Sequence, residues 1–130
     1  MAEQEKHTFP KTERLSSVIL IEKLFAGGSK SLPAFPLRIV YMVEGEELPA
    51  VSVLISVPKK RFKRAVKRNR VKRQIREAYR KHKYLLIDPL KAAGKKAAIA
   101  FIWLDNELHA SDEIEEKVKK LLQITAERML

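Results

Sequence analysis

Apolar residues recur along this chain with two periods, and the switches between them divide it into elements. Residues 17–26 (SVILIEKLFA) follow a helical spacing, opened by a serine and stopped by Gly27 and Gly28, which predicts a short buried helix. Residues 29–36 carry two prolines and read as a loop. Residues 37–43 (LRIVYMV) are a β-branched apolar run and predict a strand. After a turn around Gly45, residues 50–57 alternate, with Val51, Val53, Ile55 and Val57 on one side and Ser52 and Ser56 on the other. The short connection predicts that these two strands pair antiparallel.

A helical period returns over residues 62–81. On a wheel of about 100° per residue, Val71, Ile75, Ala78 and Tyr79 fall on one narrow arc. Residues 84–96, broken by Pro89 and Gly94, read as a connection. Residues 97–104 are eight consecutive apolar residues, the pattern of a strand buried on both faces. A last helix begins near Asp112, which has capping-box spacing to Glu115, and it turns Ile114, Val118, Leu121, Leu122 and Thr125 inward. Residues 1–14 read as a flexible arm and 15–130 as one domain, a compact α+β or α/β sandwich.

Charge changes this picture more than composition does. The chain has 130 residues and a net charge of +11. Residues 59–83 hold 14 Lys or Arg against one acid, Glu77, a net of +13; the rest, with 13 bases and 15 acids, is at −2. The positive excess therefore lies on one helix and its approach. Asn69, Arg70, Lys72, Arg73, Arg76 and Arg80 occupy the wheel outside the apolar arc, Lys67 and Arg68 flank the stripe and need the helix start to turn them outward, and Lys59 and Lys60 precede it. Arginine binds phosphate bidentately and stacks on bases, so a helix greasy on one side and cationic on the other predicts a polyanion surface. Two other uses of a basic amphipathic helix stay open here: a membrane-surface or calmodulin-target element, and a DNA-reading helix, although no helix-turn-helix pattern accompanies it.

Cysteine is absent, which excludes a thiol nucleophile, a disulfide framework and thiolate-bound metal. The longest apolar run falls far short of the ~20 residues that span a bilayer, and the N-terminus has no signal-peptide pattern, so a cytoplasmic protein with no membrane association is expected. His7, His82 and His109 are scattered and read as surface histidines; the acids of residues 112–116 suit a helix start. No catalytic or metal-ligating residue is assigned.

The string Ser56-Val57-Pro58-Lys59-Lys60, followed by Ala65-Val66-Lys67-Arg68-Asn69-Arg70-Val71-Lys72-Arg73-Gln74-Ile75-Arg76-Glu77-Ala78-Tyr79-Arg80, closely resembles the signature of the bacterial ribonuclease P protein family. Arg14-Leu15, Phe25, Gly28 and Tyr41 extend the resemblance over about residues 14–125. It implies a single-domain α-β sandwich of order αβββαβα, with a central, mostly antiparallel sheet and a left-handed crossover through the basic helix. It implies an accessory subunit of an endoribonuclease ribonucleoprotein that removes the 5′ leader of precursor tRNA. The partners would be a catalytic RNA and the precursor, with no obligate protein partner. Chemistry would come from the RNA and its Mg2+, with no cofactor held by the protein.

The resemblance further implies that Lys59, Lys60, Arg68, Asn69, Arg70, Lys72, Arg73 and Arg76 contact the catalytic RNA. Ile21, Phe25 and Tyr41 would line a leader cleft between the sheet and the N-terminal helix, where stacking on a ring contributes ~1–3 kcal/mol per base. Three departures stand out. Arg61-Phe62-Lys63-Arg64 replaces a small, glycine-containing segment, Ile21 stands at an aromatic position, and Trp103-Leu104 stands where a basic residue is common.

Overall fold

The computed structural model describes residues 30–44 and 51–129. Within them run β1 (Lys30–Ala34), β2 (Leu37–Glu44), β3 (Val51–Ser56), α1 (Ala65–His82), α2 (Tyr84–Ala92), β4 (Lys96–Trp103) and α3 (Ser111–Met129). The strands form one sheet in the order β1-β2-β4-β3. The pairs β1–β2 and β2–β4 are antiparallel, and β3–β4 is parallel. This is the expected α+β architecture. The expected helix over residues 17–26, the N-terminal arm and most of the turn after β2 lie outside the described residues.

The expected β2–β3 hairpin is overturned. β4 lies between them, with Leu37 opposite Trp103 at one end and Glu44 opposite Lys96 at the other. The reason is burial: Ala97 through Phe101 are all fully buried, and a strand with no side to offer solvent belongs in the middle of a sheet. Its partner β3 is parallel, and a parallel pair needs a long crossover, here through α1 and α2.

Two other segments read as irregular are regular. Residues 30–34 form β1 despite Pro33, because β1 is an edge strand where a missing N–H costs no ladder bond. Residues 84–92 form α2 with Pro89 inside it. A mid-helix proline costs about 3 kcal/mol. Burial of Leu86, Ile87 and Leu90 offsets it, since each large apolar side chain contributes about 1.5–3 kcal/mol.

One continuous core fills the space between a sheet face and the three helices. Leu37, Ile39 and Tyr41 of β2 and Val51 and Val53 of β3 meet Val71, Ile75, Ala78 and Tyr79 of α1, with Ile114, Val118, Leu121 and Leu122 of α3. The Tyr79 ring packs edge-on to Phe101, centroids 6.2 Å apart. A smaller cluster on the other sheet face contains Val40, Ala98 and Ala100. The stripe predicted for the basic helix is thus the part of α1 that is buried. Ile75→Ala removes one of its fully buried members and is expected to destabilise the fold by about 2–5 kcal/mol, measured by denaturant unfolding.

Candidate nucleic-acid interface

Because α1 docks through a narrow stripe, its remaining circumference is free to carry charge. Lys59, Lys60, Lys67, Asn69, Arg70, Arg73 and Arg76 are exposed; Arg68, Lys72 and Arg80 are partly buried. Val66, in the first turn, is 77% exposed and leaves an apolar side chain on this face. The start of α1 is built against helix-forming convention. Its N-cap is Arg64, which makes no side-chain cap bond, and no acid lies in the first turn. Cations there oppose the helix dipole, whereas Arg80, Lys81 and His82 in the last turn complement it.

The partly buried arginines divide by what holds them. Arg68 turns back along the chain, and its Nη1 donates to the carbonyl oxygens of Phe62 (2.6 Å) and Lys63 (2.9 Å). It closes the approach loop onto the helix. Arg80 is forked by Glu77, donating from Nε at 3.0 Å and from Nη2 to the second carboxylate oxygen. That hydrogen bonding holds the Glu77 carboxyl below its ordinary range. The lone acid of the basic segment is therefore a surface partner to one cation.

Arg70, Arg73 and Arg76, with Gln74, Glu77 and Ser111, line an open groove of about 400 Å³ between α1 and the start of α3. Gln74 ties the two together, its Nε2 donating to the His109 carbonyl (3.1 Å) and to Ser111 Oγ (3.0 Å). At the other end of α1, Glu115 accepts from His82 (3.0 Å) and Lys81 (3.4 Å). The His82 hydrogen bond, with the Lys81 charge behind it, keeps the Glu115 carboxyl low. Glu115 thus joins α3 to α1 instead of serving in the capping box expected with Asp112.

Histidine 109 is not the surface residue the sequence suggested. It sits between Asp105, whose Oδ2 meets Nε2 at 2.6 Å, and Glu113, whose Oε2 meets Nδ1. The Trp103 and Phe35 rings approach it edge-on at 5.4 and 6.3 Å. The Asp105 hydrogen bond, aided by Glu113, raises the His109 pKa above its ordinary value, and the same contact lowers that of Asp105. The sequence held a signal: Asp105, His109 and Glu113 are spaced by four, with an acid on each side of the histidine. Among the described residues no group of three or more acids or histidines is placed to hold a metal ion.

The departures from the family signature find structural uses. Phe62 is only 5% exposed, so the entry to α1 is anchored by a ring in place of a flexible glycine. Trp103 is fully buried at the end of β4. Of the proposed cleft residues, Ile21 and Phe25 lie outside the described residues. Tyr41 is 4% exposed and belongs to the main core, so its ring is packed among apolar neighbours and is not brought together with the cationic face.

Arg68 and Arg73 should separate in a stability measurement. Arg68→Ala leaves two carbonyls without their charged donor and is expected to cost about 1–2 kcal/mol, whereas Arg73→Ala should stay within about 0.5 kcal/mol of the parent in the same denaturant titration.

Comparison with known proteins agrees with this geometry. The family model for Ribonuclease P matches residues 9–126. A ribonuclease P protein component from Porphyromonas gingivalis is 46% identical over 113 residues, covering 86% of this chain and 82% of that protein. One from Chlorobaculum tepidum is 34% identical over 111 residues, covering 79% and 71%. In fold, the chain is similar to the Staphylococcus aureus RNase P protein (TM-score 0.69, 21% identity, 87% of this chain and 94% of that one). It is also similar to the Thermotoga maritima RNase P protein (TM-score 0.66, 24% identity, 86% and 96%). With its signature on α1, a family model matching residues 9–126 and a relative 46% identical over 113 residues, the chain belongs to the bacterial ribonuclease P protein family.

Proposed function

We propose that this chain binds the catalytic RNA of ribonuclease P through α1 and its approach, and assists removal of the 5′ leader from precursor tRNA. The observation that carries this reading is the division of α1: Val71, Ile75, Ala78 and Tyr79 are buried while Asn69, Arg70, Arg73 and Arg76 are exposed on the same rigid helix. A fixed row of guanidinium groups matches the phosphates of a folded RNA without the ordering cost of a flexible tail. The protein's part is electrostatic and positional. Its cations lower the repulsion between catalytic RNA and substrate, two polyanions that must come together before cleavage.

Hydrolysis itself is assigned to the RNA subunit, with Mg2+ supplying its electrophilic chemistry; no protein side chain is given a catalytic role. A leader contact is expected from the family for the region of Ile21 and Phe25. Among the described residues no helix is long and apolar enough to cross a membrane, and a cytoplasmic site of action follows from the partners proposed.

Two measurements test this reading. The purified chain alone should leave precursor tRNA intact, and added to catalytic RNA at low Mg2+ it should restore cleavage at the leader junction; equal rates with and without protein would remove the assignment. Binding of the catalytic RNA across a salt series should show a steep slope. Arg70→Ala and Arg73→Ala are each expected to weaken affinity and to reduce that slope by about one, the signature of a lost phosphate contact.

A further inference from the structure

The His109 ring lies in a position that a neutral imidazole fills poorly. Both ring nitrogens face carboxylate oxygens, Nε2 toward Asp105 and Nδ1 toward Glu113. A carboxylate only accepts, and a neutral ring donates from one nitrogen and presents a lone pair at the other. Only the imidazolium satisfies both contacts. Among the described residues, the Trp103 ring from β4 and the Phe35 ring from the β1–β2 corner pack against it, and Arg61 of the approach to α1 reaches the same segment, donating from Nη1 to Asn106 Oδ1 at 3.5 Å.

The clamp borders the RNA face. The backbone carbonyl of His109 and the hydroxyl of Ser111 both accept from Gln74 of α1, and Gln74 and Ser111 line the groove with Arg70, Arg73 and Arg76. Asp105 and Glu113 are thus held beside a surface meant for phosphate. Two carboxylates there are a liability, and the protonated ring between them offsets one of the two charges while pinning the segment that forms the groove wall.

We propose that protonated His109 is a positioning residue for RNA binding, holding the segment 105–113 against α1 and compensating its acids, so that loss of its proton weakens binding of RNA at the arginine groove. This inference rests on α1 being the RNA face. On deprotonation the local charge of the Asp105, His109 and Glu113 group falls from −1 to −2, and one nitrogen turns a lone pair toward a carboxylate. Repulsion of the nearest phosphates and loosening of the wall act in the same direction. Because the proton is bound more tightly in the folded protein, the clamp's contribution is complete below the ordinary histidine pKa of about 6.5 and is lost as pH rises through the raised value.

The test uses the full chain and an in vitro transcript of ribonuclease P RNA, with dissociation constants measured from pH 6 to 9 at constant ionic strength. In parallel, the His109 Cε1–H resonance is titrated by NMR. Affinity of the parent protein should fall about three- to tenfold in a step whose midpoint coincides with the His109 titration, the range expected for one charge near a screened phosphate. His109→Gln should bind at all pH values as the parent does at high pH, without the step. Asp105→Asn removes one facing carboxylate and should move both midpoints to lower pH together, a response that a purely structural histidine does not give. It also provides the reading if His109→Gln does not fold. His82→Gln should keep the step.

A step that persists in His109→Gln, or a midpoint that ignores Asp105→Asn, overturns the proposal. So does an affinity without a step while Arg73→Ala still weakens binding. If Arg73→Ala binds as tightly as the parent, the reading of α1 as the RNA face fails first and takes this inference with it.

Discussion

The two-sided docking of α1 is the constraint on which the other features depend. Val71, Ile75, Ala78 and Tyr79 make a stripe too narrow to stabilise a helix in isolation, and eleven Lys or Arg lie between Arg61 and Lys81 on or just before that helix. Repulsion among those cations opposes folding, so the helix persists through burial against α3 and the sheet. Once docked, it has a fixed rotation about its axis, and that rotation decides which side chains meet solvent. The cationic surface is in this sense a by-product of the core: shift the stripe by one residue and the arginines swing by about 100°.

That dependence explains which features were legible in the sequence. The amphipathic periods of α1 and α3 and the fully apolar run of β4 are local patterns, and each reappears in the fold at its expected place. Sheet order is not local. The short connection between β2 and β3 favours a hairpin, but the decisive fact is that β4, some forty residues later, can be stable only with a strand on each side. α2 was hidden for a related reason. Its proline speaks against helix on any local scale, and only the core that receives Leu86, Ile87 and Leu90 reverses that preference.

The site was readable to the same degree. Residue type and helical phase placed Arg70, Arg73 and Arg76 outward, and they are outward. They did not reveal that Arg68 is spent on the carbonyls of Phe62 and Lys63, or that Arg80 is held by Glu77. Phase fixes where a Cα points, whereas a long arginine chooses among partners that only the folded loop supplies. Strand alternation puts Tyr41 with Leu37 and Ile39 in the main core, while Val40 belongs to the other face; the N-terminal helix expected to complete a cleft beside Tyr41 lies outside the described residues.

The electrostatics of α1 are unequal along its length. At its C-terminal end the cations are stabilised by acids and by the helix itself: Arg80 by Glu77, Lys81 by Glu115, which also hydrogen-bonds His82, and both cations by the helix dipole. At the N-terminal end an arginine takes the N-cap position, no acid occupies the first turn, and lysine and arginine stand where the dipole disfavours them. Each choice costs a few tenths of a kcal/mol to about 1 kcal/mol, and an ordinary helix would place serine or aspartate there instead. Acids at those positions would stabilise the helix and neutralise the field it projects. Local rules that a chain breaks on one exposed surface, while obeying them elsewhere, mark the surface where a ligand supplies the missing charge. On the function proposed above, a polyanion lying along the first turns of α1 would supply that compensation, so that the end of the helix its own dipole disfavours is the end RNA would stabilise.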